Sequence, residues 1–198
     1  MAGIGLYGVY YAKASITDGV LTGYTGGAKQ MGKAISASFE PKTTDANPLY
    51  ANNGIAERDI SSASGGTLNL TLDRLKEAAY ADLYGLTVKA ATVLTDVGGS
   101  GFDFTGEETG NVVGVAFVRW NQEDNSRSHY QAVIYSYVLF DPPSDTYQTL
   151  GESVEWQTPE ISGTVSGGSV CGVKPWKQVY EFPSQDACIA FINSYFGA

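Results

Sequence analysis

Histidine occurs once in this chain, at His129, and cysteine twice, at Cys171 and Cys188. One imidazole cannot build a zinc site alone, and neither cysteine stands at ligand spacing to it. A Ser-His-Asp set would have to use His129, yet no GxSxG elbow accompanies it. Two cysteines make no disulfide framework, so both read as reduced packing residues, with a bond between them left open. Basic residues are outnumbered 12 to 21, a formal net charge of −9. That is the wrong sign for a protein that grips nucleic acid through its phosphates. No apolar run approaches the roughly 20 residues of a helical membrane span. The start lacks the basic and apolar stretches of a secretory signal, which predicts folding where the chain is made.

Gly3, Gly5 and Gly8 spell GxGxxG, but the dinucleotide fingerprint needs a helix after it, and VYYA follows instead. Gly98, Gly99 and Gly101 form a loop without the Lys-Ser/Thr pair of a phosphate cradle. Asp103, Glu107 and Glu108 are loop acids, and a carboxylate pair for glycoside hydrolysis is set by space rather than by sequence. No catalytic residue, metal or cofactor is therefore expected.

The chain is rich in glycine, tyrosine, valine and threonine, which suits many short strands joined by turns. At 198 residues it forms one mainly β (α+β) domain with a real core. Residues 4–12 read as a first strand. Ile35, Ala37 and Phe39 alternate with serines, and Leu68, Leu70 and Leu72 with Thr67, Asn69 and Thr71, as in half-buried strands. Between them, the polar stretch 41–66 reads as a hairpin arm, with Leu49, Tyr50 and Ile55 around an Asn53-Gly54 turn. Leu75, Ala79, Leu83 and Leu86 recur at helical spacing, which predicts a helix over 74–85, capped by Asp73 and stopped by Gly85.

Residues 112–120 and 129–140 flank a polar turn and predict a long antiparallel hairpin that is apolar on both faces. One face carries Val113, Val115 and Phe117. The other carries Val112, Ala116, Val118 and Trp120, with Ile134, Val138 and Phe140 on the partner strand. A second apolar face must meet another layer, and a neighbouring subunit is the expected one, against a layer within the chain. A strand over 154–165 is interrupted at Pro159, and a strand over 176–182 and a short helix over 186–196 follow.

Three elements of residues 112–165 are similar to the major tail protein (tail tube protein) family of long-tailed bacteriophages. They are GVAFVRW with SHYQAVIYSYVLFDPPSD, the connector TYQTLGESVE, and EWQTPEISGTV, whose Glu155, Trp156, Gln157, Thr158, Pro159, Ile161 and Gly163 carry the likeness. IGLYGVYYA, ISASFEPK, LYANNGIAERD and GGTLNLTLDRLKEAAYADLYGL resemble the family's earlier segments in order. The resemblance covers 1–166, and 167–198 departs from it as an extension packed on the same domain.

It implies two packed antiparallel sheets, sandwich- or barrel-like, with a flanking helix and a ring-stacking arm. It also implies six-membered rings stacked into a tube through which DNA passes without specific binding. The implied partners are further copies of the chain, a tape-measure protein, a tail terminator and distal tail or baseplate proteins. The implied location is the virion tail, with the host cytoplasm during assembly. The rival reading is a β-sandwich module that holds carbohydrate through exposed tyrosine and tryptophan. A hydrolase with an unmarked carboxylate pair is a weaker third.

Overall fold

A computed structural model describes residues 2–43, 48–51, 54–58, 63–90, 99–123, 127–142, 149 and 157–197. Its strands are β1 (Ala2–Thr17), β2 (Val20–Gly32), β3 (Ala34–Thr43), β4 (Pro48–Ala51), β5 (Gly54–Arg58), β6 (Ala63–Leu72), β7 (Lys89–Ala90), β8 (Ser100–Gly101), β9 (Val113–Glu123), β10 (Arg127–Phe140), β11 (Glu160–Ser166) and β12 (Lys177–Phe182). Two α-helices accompany them, α1 (Glu77–Tyr84) and α2 (Gln185–Tyr195). The main sheet is antiparallel, in the order β2-β1-β9-β10-β11-β6-β3, with β12 added on β10.

Two corners fold this sheet over on itself. The strands at its two ends, β2 and β3, are consecutive in the chain with only Lys33 between them. Asp73 fixes that corner, its carboxylate accepting the N–H of Lys33 at 2.7 Å and of Arg74 at 2.8 Å. The second corner is in β10. Tyr130–Tyr135 pair with β12, Val138–Phe140 pair with β11, and a bulge separates the two stretches. Strands that switch layers through bends are how packed sheets turn corners. The mainly β (α+β) class expected from composition is the class observed, and its sandwich-like form is the one the resemblance implies.

The main core lies inside the fold, where Leu68, Leu70 and Leu72 meet Val113, Val115, Tyr135 and Val138. The α1 helix closes one end with Ala79 and Leu83. It is shorter than expected, because Lys76 is still extended and serves as N-cap without a side-chain bond, while Asp73 is committed to the corner. The stop at Gly85 is as expected, at φ 68°, which glycine adopts without strain. Of the strand expected over 154–165, residues 154–156 lie outside the described residues, 157–159 are not in a strand, and β11 begins at Glu160. Pro159, just before it, lends its carbonyl to the N–H of Leu72 at 3.1 Å.

A second core corrects the expected subunit interface. On the outer face of the sheet, Ala116, Val118, Ala132 and Ile134 are buried under Cys188, Ile192 and Phe196 of the α2 segment. The missing layer is supplied by the chain itself. Gly114 allows the closest approach, since a Cβ there would come within 2.5 Å of both Phe196 and Tyr24. Ser184 caps α2 by accepting the N–H of Ala187 at 3.2 Å.

Val138 and Phe140, also assigned to that outer face, lie in the main core instead. The bulge between Tyr135 and Val138 shifts the alternation by one residue, so side chains after it swap faces. Val112 and Trp120 are half-buried.

Candidate functional site

The residues weighed for chemistry fall apart in space. Gly3, Gly5 and Gly8 all lie within β1, which is followed by β2 and not by a helix. His129 stands on β10 opposite Asn121 of β9. Asp103 pairs with Lys89 at 2.6 Å. Glu108 closes a local turn by accepting the Gly106 N–H at 2.9 Å, the Thr105 hydroxyl at 2.8 Å and the Thr105 N–H. Those bonds, led by the backbone N–H groups, draw its carboxyl down to about 2. Among the described residues, no group of three or more His, Cys, Asp or Glu could hold a metal ion.

The polar groups that do converge tie elements together. Asp82 of α1 accepts from the Tyr11 hydroxyl at 2.9 Å and from Lys29 Nζ at 2.8 Å, with Lys13 Nζ at 3.4 Å. Burial alone would raise its carboxyl, but Lys29, Tyr11 and Lys13 outweigh it and hold it below the usual range. Under α2, Tyr24 donates to the Ser136 carbonyl at 2.9 Å and Ser136 Oγ to the Pro175 carbonyl at 2.6 Å. Gln178 donates to Tyr195 there.

Cys171 and Cys188 are free and buried. Burial pushes the Cys171 thiol up and that of Cys188 up to about 11. Only the thiolate reacts readily, so both are expected to resist a water-soluble disulfide reagent at about pH 8 while the chain is folded. Two thiols per chain are expected to react on adding denaturant. Rapid labelling of a native thiol would show that α2 or the 168–171 turn opens freely.

The arm forms a sheet of its own, β4 with β5, inserted between β3 and β6 and, among the described residues, paired with no strand of the main sheet. Ala51 pairs with Gly54, so Gly54 stands in β5 rather than in the expected Asn53-Gly54 turn. Tyr50 pairs with Ile55 and Leu49 with Glu57, while Asn53 lies outside the described residues. Within the family-like motif, Glu155 and Trp156 are outside the described residues, Gln157, Thr158 and Pro159 precede β11, and Ile161 is buried. Gly163 leaves room for the Phe140 ring, which a Cβ would meet at 2.8 Å.

Sequence reasoning passed over a cleft of about 580 Å³ between β3 and the sheet formed by β1, β9, β10 and β12. Its floor is Phe39, Leu68, Phe117 and Val133, and exposed Ile35 and Val179 stand at its mouth. The cross-strand row Leu6, Arg119, Gln131, Glu181 forms one rim, where Gln131 donates to Glu181 at 2.8 Å. Arg119 is exposed and has no ion-pair partner among the described residues. Lys177 lies 5.1 Å from the Phe39 ring centre and 5.7 Å from that of Tyr135. The place is a hollow with an apolar floor, polar walls that include Ser36, Ser38 and Gln131, and two cations beside it, with Glu181 further along the rim. Its parts come from six strands far apart in sequence, so no local pattern announces it.

No family model matches the chain, and no curated protein sequence matches it significantly.

Proposed function

We propose that the chain is a structural subunit that assembles with copies of itself into stacked rings. Those rings would form the tail tube of a long-tailed bacteriophage, through which DNA passes without specific binding. The observation that carries the reading is the arm, a hairpin inserted between two neighbouring strands of the main sheet and, among the described residues, paired only with itself. A hairpin that adds nothing to the ladder of its own domain is suited to a contact outside it. The outer edges of β2 and β12, unpaired among the described residues, add support, because an exposed edge is a template for another chain. The family resemblance supplies the ring, the tube and the partners, from tape-measure protein to baseplate. The carbohydrate reading has less support, since Tyr180 is the only exposed tyrosine among those whose side chains are described, and its ring packs on Phe191 with centres 4.9 Å apart.

The test is the size and shape of the purified protein. Negative-stain images are expected to show rings or tubes. Replacing residues 45–60 with a short Gly-Ser linker is expected to leave a cooperative melt and to prevent long tubes. A wild-type chain that stays monomeric at about 1 mM would overturn the reading. Normal tubes from the linker variant would remove the arm from it.

A further inference from the structure

The cleft and a distant loop form a complementary pair. Residues 99–112 carry Phe104, which is 61% exposed, together with Asp103, Glu107 and Glu108. The loop is ordered by its own bonds. Glu108 closes its turn, Lys89 holds Asp103, and Phe102 stacks on Tyr80 with ring centres 5.2 Å apart. Phe104 meets Tyr80 edge-on with ring centres 6.3 Å apart, and its ring stays mostly exposed. An exposed phenyl ring among three carboxylates and one lysine is an apolar knob with an acidic collar.

The knob belongs to the other end of β9 from the cleft. Its loop leads into that strand at Val113 and packs on α1, whereas Arg119 stands six residues, about 20 Å, beyond Val113. Knob and cleft are therefore at different places on one molecule, and the match between them is head-to-tail. The cleft is larger than one ring and can take the tip of the loop as well.

We infer that the cleft between β3 and the β9–β10–β12 sheet receives the Phe104 loop of a second copy of this chain. The ring packs on Phe117 and Val133, and Glu107 faces Arg119 and Lys177. This rests on the self-assembly reading and names one of its contacts. A contact between different patches is heterologous, and repeating it gives a closed ring or an open filament. Buried aromatic and arginine anchors carry most of the energy in such interfaces. The opposite charges steer the encounter, so added salt weakens association.

The test uses two full-length variants. Phe104→Ala removes the knob and keeps the cleft, while Arg119→Glu spoils the cleft and keeps the knob. Both side chains are exposed, so near-UV circular dichroism is expected to match wild type, with Lys177→Glu as a second cleft variant if Arg119→Glu misfolds. Sedimentation velocity is expected to show each variant at least about tenfold weaker in association than wild type. Mixed in equal amounts, they are expected to form a dimer that grows no further, because one good knob meets one good cleft. Wild-type assembly with both variants assembling like it would overturn this contact and leave the tube reading standing. A mixture that stays monomeric would overturn it too. A wild type that remains monomeric at about 1 mM would overturn both.

Discussion

Ile134→Lys is expected to abolish the cooperative melt of this chain, and Val118→Lys to weaken it severely. Both side chains are fully buried on the outer face of the sheet, against Ile192, Phe196 and Cys188. A lysine placed there must give up hydration or its proton. Buried lysines show pKa depressions of up to 3–5 units, each unit worth about 1.4 kcal/mol. That is about 4–7 kcal/mol, against a total stability of about 5–15 kcal/mol for a domain. Val118 stands nearer the end of its strand, where a lysine could thread its amine outward past Tyr7 or Tyr130, so its cost is the smaller. The control is Val173→Lys at a side chain that is 99% exposed, expected to change stability by no more than about 0.5 kcal/mol. Thermal melts of the three variants decide it. A folded Ile134→Lys chain would mean that α2 lifts off readily and that the outer face is free to meet a neighbour.

That expectation reverses the one drawn from sequence, and the reason is instructive. The two-sided apolar hairpin was legible, because Val113, Val115 and Phe117 alternate with Ala116 and Val118 in an unbroken strand. What covers its second face was not. The covering helix lies about fifty residues on, and Cys188, Ile192 and Phe196 face the sheet only because β12 pairs with β10 and aims the chain back across it. Periodicity gave the strands of Leu68, Leu70 and Leu72 and the stripe of Ala79 and Leu83, since each depends on local geometry alone.

It failed where tertiary bonds took over. The bulge after Tyr135 sent Val138 and Phe140 to the opposite face, and Asp73 served a corner rather than a helix. The cleft was hidden for the same reason as α2's role. Ile35, Phe117, Arg119, Val133 and Val179 share no local pattern, and only the fold brings them together.

One chemical change made at two places separates stability from association. Phe196→Ala is expected to lower stability by about 3–5 kcal/mol, the usual loss for deleting a buried phenyl ring. The Phe196 ring meets Tyr24 edge-on with centres 4.8 Å apart and Tyr195 at 5.4 Å, and it lies where Gly114 leaves no side chain. The surrounding sheet cannot collapse into the hole, because Ala12, Ala116 and Ala132 are already small and their strands are locked in register. For a chain of this size each kcal/mol moves the melting temperature by about 2–4 °C, so the drop is about 6–20 °C.

Phe104→Ala deletes the same ring from an exposed loop, where little packing is lost, and is expected to leave the melt of the monomer within about 2 °C. Its effect falls on association instead. Differential scanning calorimetry at low protein concentration, beside sedimentation at high concentration, reads the two effects separately. Phe196→Ala melting within about 2 °C of wild type would show that α2 contributes little to the fold, and the outer face would again be a candidate interface.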